Sequence, residues 1–267
     1  MSNILKHPIY NGTLEAYLNK ENKNSGAVII CPGGAYMRTT EREGKPIARA
    51  LNKMGLSAFV LHYDVENPPL FTKPLNQLAW AIEHVRDNYI KYNVNPEKIA
   101  VMGFSAGGHL AASLGVHWHN PDFFGGKREP EIYKPNALIL CYAVLSGGSF
   151  RHNRSFYNLV LDSGYDIFHE YSLEDKISDK TPPTFLWHTA DDNSVLVENT
   201  LLFALNLSKY KIPYEMHIYP HGVHGVSLAT KETSVNKEQL NPYVSTWIER
   251  LEEWIRNYLF DAVGVAK

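Results

Sequence analysis

Apolar residues in this chain come in short continuous runs, separated by stretches in which they recur every three or four positions. The runs are Gly26–Pro32 (GAVIICP), Leu56–Tyr63 (LSAFVLHY), Lys98–Phe104 (KIAVMGF), Asn136–Val144 (NALILCYAV) and Thr184–Ala190 (TFLWHTA). Strands buried on both faces, as in a parallel sheet, read this way because neither face needs polar residues. Pro213–Pro220 (PYEMHIYP) alternates more and reads as a last strand near an edge. Thr13–Lys20 (TLEAYLNK) reads as an added antiparallel strand.

Between the runs lie helical patterns. Ile47, Leu51 and Met54 share one stripe, and Leu75, Leu78, Ala79, Ile82 and Val85 another. Leu201 to Leu207 belongs to a helix opened by VENT, and Trp247, Leu251, Trp254, Ile255 and Tyr258 mark a C-terminal amphipathic helix. Strand and helix in this rhythm predict a doubly wound α/β architecture, a mostly parallel sheet with helices on both faces. No linker or repeat interrupts it, so residues 1–267 are expected to form a single domain. Residues 146–183 break the rhythm, being polar, aromatic and poorly periodic. An unstructured loop of that length is rare in a compact domain, so short helices folding as a cap over the carboxyl ends of the strands are expected there.

Composition narrows the field of partners. The 267 residues carry a formal net charge of −2, with no basic run of the kind that binds nucleic acid. No apolar run approaches the roughly 18 residues of a membrane span. The two cysteines, Cys31 and Cys141, sit inside strand-like runs and read as reduced, buried thiols. With no leader-like N-terminal pattern, a cytoplasmic location is expected. The pairs His117/His119 and His221/His224 have metal-like spacing but lack a third ligand in a convincing context, so no metal is expected.

The stretch Gly103-Phe104-Ser105-Ala106-Gly107 is G-x-S-x-G with a strand before it and a helix after it. A sharp strand-to-helix turn holds the serine in strained backbone and lifts its hydroxyl out of the sheet. The Ala106 amide then stands at a helix N-terminus, where negative charge is favoured. A serine hydroxyl is a weak nucleophile and needs a base. Two aspartates, Asp191 and Asp192, follow the penultimate strand run, and two histidines, His221 and His224, follow the last one. Pro32-Gly33-Gly34-Ala35 ends an early strand with residues small enough for a substrate to approach the backbone.

Together these motifs resemble the α/β-hydrolase fold, within its esterase/lipase branch. The phrases CPGGAY, GFSAGGHLAASLG, TPPTFLWHTADD and YPHGVHG narrow the resemblance to bacterial carbohydrate acetyl esterases, the acetyl-xylan-esterase-like or "sugar hydrolase" proteins. The similarity runs from about Gly26 to the C-terminal helix. It implies Ser105 as nucleophile, His224 (in GVHG) as base and Asp191 (closing TAD) as the acid, ahead of His221 and Asp192. It also implies an oxyanion hole from the amides of Gly34, Ala35 and Ala106, because PGGA is similar to the H-G-G-G loop of esterases. Leu196 stands where relatives often carry proline. The reaction implied is acyl transfer through an acyl-enzyme, without cofactor, on a small ester such as an acetylated sugar. A prolyl-oligopeptidase-type peptidase shares TADDN, but its usual extra domain has no room here. A non-catalytic binding protein of the same fold would be expected to have lost part of the triad. Homo-oligomerisation is left open.

Overall fold

A computed structural model describes residues 4–21, 25–124, 129–161 and 165–257. Its strands are β1 (Ile4–Lys6), β2 (Thr13–Tyr17), β3 (Ser25–Cys31), β4 (Ser57–His62), β5 (Val94–Phe104), β6 (Ala137–Cys141), β7 (Thr184–Thr189) and β8 (Tyr214–Tyr219). They form an eight-stranded sheet in the order β1-β2-β4-β3-β5-β6-β7-β8. β1, β2 and β4 pair antiparallel, and every pairing from β4 across to β8 is parallel. The continuous apolar runs lie at the centre: every residue of β3, β6 and β7 is buried. β8 at the edge is mostly half-exposed, and β2 alternates. β1, three residues with one face in solvent, has no counterpart among the strands expected from sequence.

The helices are α1 (Lys45–Lys53), α2 (Lys73–Asp87), α3 (Tyr89–Tyr92), α4 (Ala106–His117), α5 (Asn153–Val160), α6 (Tyr165–Glu170), α7 (Glu198–Lys209) and α8 (Trp247–Ile255). Alternate strand residues face opposite layers. Ile29, Val101, Leu138 and Leu186 pack with α2, α4 and α7, whereas Val28, Ile30, Met102, Ile139 and Trp187 pack with α1 and α8. Cys31 faces the first layer and Cys141 the second, so the sheet separates the two free thiols. Proline in the first turn of α1 and α2 suits a position whose N–H has no helical acceptor. The segment between β6 and β7 holds α5, α6 and a short 3₁₀ turn at Glu174–Lys176. Tyr258, expected on the last helical stripe, lies outside the described residues. Among the described residues no helix is long and apolar enough to cross a membrane.

Parallel pairing has one consequence for chemistry. The loops that follow β3, β5, β7 and β8 all leave the same edge of the sheet, which is where open α/β sheets assemble their sites.

Two histidines of α4, the buried His109 and the partly buried His117, make the fold sensitive to acid. His109 accepts from the Tyr36 hydroxyl at Nδ1 (2.9 Å) and donates from Nε2 to the Tyr171 carbonyl (2.9 Å). His117 stacks on Phe123 with ring centres 4.2 Å apart. Burial lowers both to about 4 from an ordinary 6.5. Between those values the unfolded chain binds protons that the folded chain refuses, so stability is complete above the ordinary imidazole range and is lost as pH falls through it. Denaturant unfolding should show a loss on the order of 2 kcal/mol from His109 alone between pH 8 and pH 5. His109→Gln should be less stable at pH 8 yet lose less on acidification; an equal loss in both proteins would contradict the assignment.

Candidate active site

Ser105 occupies the turn between β5 and α4 with φ at +52°, a conformation costly for a non-glycine residue by roughly 1–3 kcal/mol. The surroundings hold it there. Its N–H donates to the Cys141 carbonyl (3.0 Å), and its own carbonyl accepts from the amides of Gly108 (2.9 Å) and Val144 (3.1 Å). The flanking glycines are steric necessities. A Cβ at Gly103 would stand 2.1 Å from the Gly107 carbonyl oxygen, and one at Gly107 would stand 2.1 Å from that of Cys31.

The loop after β8 delivers His224 to this serine. The Ser105 hydroxyl donates to His224 Nε2 across 2.8 Å, between residues 119 apart in sequence. On the other side, His224 Nδ1 donates to Asp192 Oδ2 at 2.7 Å. The structure thus corrects the expected acid: Asp192, not Asp191, reaches the imidazole. The reason lies in the turn after β7. The Ala190 amide still bonds to the Tyr219 carbonyl (2.7 Å), and the Asp192 amide then folds back to Thr189 (3.4 Å), which turns the Asp192 side chain inward. Asp191 points outward. It accepts from His221 Nδ1 (3.0 Å) and the Gly222 amide (2.7 Å), fastening the start of the histidine loop. The Gly222 amide, with His221 beside it, lowers the pKa of Asp191.

Asp192 is buried, and burial alone would raise its pKa. Hydrogen bonds from His188 and His224 outweigh that, so the net shift is downward and the carboxylate stays ionised. Its other oxygen accepts the amides of Ser194 (2.9 Å) and Val195 (3.0 Å). His188, a β7 residue not singled out from sequence, lies 3.4 Å from Asp192 Oδ2 and is fixed by Thr200 and the Val195 carbonyl. Its place four residues before the acid, at a strand end, is the signal that would have found it.

The loop after β3 is pinned at each carbonyl from Pro32 to Ala35 and at the Gly33 amide. Pro32 O accepts from the Tyr63 hydroxyl (2.7 Å) and the Gly33 amide donates to Glu43 Oε2 (2.8 Å). Gly33 O and Gly34 O accept from the amides of Thr40 (3.1 Å) and Met37 (3.0 Å). Ala35 O accepts from Asn158 Nδ2 (2.8 Å). Gly34, Ala35 and Tyr36 all have positive φ, at 137°, 54° and 56°. Among the turn, loop and cap hydrogen bonds of the described residues, the amides of Gly34, Ala35 and Ala106 donate to nothing in the protein. Gly33 is already committed to Glu43.

Glu43 joins three of the loops. Besides Gly33, it accepts from the Thr40 hydroxyl (2.6 Å) and, at Oε1, from the Tyr142 hydroxyl (2.6 Å). Burial first, and Glu43 beside it, push the Tyr142 phenol well up, so it remains a donor. Tyr142 in turn accepts the Ser227 amide (3.0 Å) and lays its ring edge-on against His224, centroids 5.1 Å apart. No sequence pattern marked Glu43, which sits within the polar run TTEREGKP. Beside His224 a cleft of about 610 Å³ opens to solvent, walled by Asp191, Asn193, Ser194, Glu238 and Asn241.

The mostly parallel sheet, the strained serine turn and the loops gathered at its carboxyl edge define an α/β hydrolase. Residues 14–207 match the model of the BD-FAE family, and the chain belongs to that family. It is 35% identical over 223 residues to endo-1,4-beta-xylanase B of Butyrivibrio fibrisolvens, covering 82% of this chain and 35% of that protein. It is 30% identical over 217 residues to the acetylxylan esterase of Xylanibacter ruminicola, covering 79% of this chain and 43% of that protein. The chain therefore spans less than half the length of these two relatives. The crystal structure of an acetyl ester-xyloside bifunctional hydrolase from Caldicellulosiruptor lactoaceticus superposes with a TM-score of 0.82 at 37% identity, covering 94% of this chain and 89% of that one.

Loss of the Glu43 carboxylate would strand the Gly33 amide and the Tyr142 hydroxyl in a buried place. Glu43→Ala should lower unfolding stability by about 2–4 kcal/mol in urea titration. A change within about 0.5 kcal/mol would show that the three loops do not depend on it.

Proposed function

We propose that this protein is a serine carboxylic-ester hydrolase that removes acetyl groups from small acetylated sugars or xylo-oligosaccharides through an acyl-enzyme. The observation that carries this reading is the continuous hydrogen-bond chain from the Ser105 hydroxyl through His224 to the buried Asp192. In the first step His224 Nε2 takes the Ser105 proton as Oγ attacks the ester carbonyl carbon. The carbonyl oxygen becomes an oxyanion, and the amides of Gly34, Ala35 and Ala106 are the donors we assign to it. Asp192 holds the imidazole with Nδ1 protonated and steadies the imidazolium that forms. His224 then gives its proton to the departing alkoxide, and the C–O bond to the alcohol breaks. Water, deprotonated by the same imidazole, cleaves the acyl-enzyme and restores Ser105.

The sugar leaving group draws support from the cleft beside His224. The departing oxygen receives its proton from Nε2, so the alcohol must extend past His224. Carboxylates, amides and a hydroxyl in the wall of that cleft, beside Val223 and two imidazoles, can pair with the vicinal hydroxyls of a sugar. Relatives named as an acetylxylan esterase and an acetyl ester-xyloside hydrolase point the same way. The two free cysteines fit a reducing compartment, so we place the enzyme in the cytoplasm, acting on oligosaccharides rather than polymer.

Purified protein should release acetate from acetylated xylo-oligosaccharides with higher kcat/KM than from simple alkyl acetates, and should leave proline anilides intact. Preference for the anilides would make it a peptidase; no turnover of any of them would favour a binding protein. With p-nitrophenyl acetate, Asp192→Asn should lower kcat on the order of 10⁴-fold, as loss of a triad acid does. Asp191→Asn should cost less than about tenfold, since its partners are His221 and Gly222. The reverse ranking would overturn the assignment of the acid.

A further inference from the structure

The segment between β6 and β7 touches the loop after β3 at a telling point. Asn158, on α5, is buried at 7% exposure and donates from Nδ2 to the Ala35 carbonyl at 2.8 Å. A carbonyl only accepts, so the nitrogen of the side-chain amide must face it. Ala35 and Tyr36 both hold left-handed backbone without being glycine, each costing roughly 1–2 kcal/mol. The Met37 amide closes this strained turn from within, on Gly34 O, and the peptide between Ala35 and Tyr36 is held in addition from outside the loop.

The peptide planes on the two sides of the Ala35 α-carbon are held differently. The Gly34–Ala35 plane, which carries the Ala35 amide, is fixed by a bond within the loop, from the Met37 amide to Gly34 O. The Ala35–Tyr36 plane is fixed from outside, by Asn158. A peptide unit is rigid, so holding its carbonyl sets its whole plane and hence ψ of Ala35. α5 is itself well seated: the Leu70 and Phe71 amides both donate to Leu159 O (2.8 Å each), and Phe156 packs edge-on against His109. The same segment reaches the loop by a second route, from Tyr171 O through His109 to the Tyr36 hydroxyl.

We infer that Asn158 is a positioning residue: by holding the Ala35–Tyr36 peptide it ties the β6–β7 segment to the strained turn on which the Gly34 and Ala35 amides are carried. This rests on the proposed role of those amides in holding the oxyanion. Asn158 need not touch the substrate. It keeps a strained loop in the shape that the transition state requires, and an oxyanion donor is worth about 10²–10³ in kcat when lost outright.

The test uses Asn158→Leu, which keeps the side chain's size but removes its donor, and Asn158→Ala as a second variant. Hydrogen–deuterium exchange of the folded proteins should be at least about tenfold faster for the peptide covering residues 32–37 in the variants, with the core strands unchanged. With p-nitrophenyl acetate, kcat should fall about 10- to 100-fold while KM stays within about threefold and the pH profile keeps its shape. Affinity for a trifluoromethyl ketone, whose adduct carries the oxyanion, should fall by the same factor as kcat/KM. Asn158→Gln, with a donor on a longer arm, should recover part of the loss. Unchanged loop exchange in both Leu and Ala variants, or faster exchange with kcat within twofold of wild type, would overturn the inference. If wild-type protein turned over no ester, the functional reading would fail. Faster loop exchange would then support Asn158 as the loop's anchor, and unchanged exchange would overturn that too.

Discussion

A carboxylate removed from water must be met by donors, and Glu43 is met from three directions. The Gly33 amide comes from the loop after β3, the Thr40 hydroxyl from the turn beyond it, and the Tyr142 hydroxyl from the end of β6. Through Tyr142 the set extends to Ser227, three residues after His224, and Trp247 of α8 donates to the Ser227 carbonyl (2.9 Å). Buried charge of this kind stabilises little by itself, because desolvation offsets most of its attraction. Its value is geometric: its polar partners are satisfied together in one arrangement of the loops, and that arrangement keeps Gly33 and the His224 ring beside Ser105.

Two adjacent aspartates divide the work of joining the loops after β7 and β8. Asp191, half exposed, holds residues 221 and 222 where the loop leaves β8. Asp192, out of solvent, holds His224 two residues further on. The outer contact is in water and screened, the inner one is dry and braced by His188 and two backbone amides. The histidine loop is thus fastened at both ends of a three-residue stretch, and the imidazole keeps both its tautomer and its reach to Ser105.

Much of the architecture was legible because burial on both faces leaves a plain trace. A strand such as Ser25–Cys31, with no face in water, is apolar from Gly26 onward, and its length and neighbours identify it. β1 left no trace, since three residues with an exposed face follow no pattern that separates them from loop. The serine turn was legible for steric reasons, Gly103 and Gly107 being the residues that its tight packing demands. The acid was legible only to within one residue. Two adjacent aspartates point to opposite sides of a turn, and the fold-back from Asp192 to Thr189 decides between them. Glu43, His188 and Asn158 were not read from the sequence at all. Glu43 meets Tyr142 across 99 residues and Asn158 meets Ala35 across 123, and no local spacing encodes such meetings.

The central claim is that Ser105, activated by His224, forms a covalent intermediate. A fluorophosphonate, which is inert toward ordinary serines, tests it directly when the labelled protein is digested and analysed by mass spectrometry. The account predicts one phosphonyl group per chain, on the peptide containing Ser105, with no incorporation in Ser105→Ala. Absence of labelling in native, folded protein, or labelling at another residue with Ser105 unmodified, would contradict it.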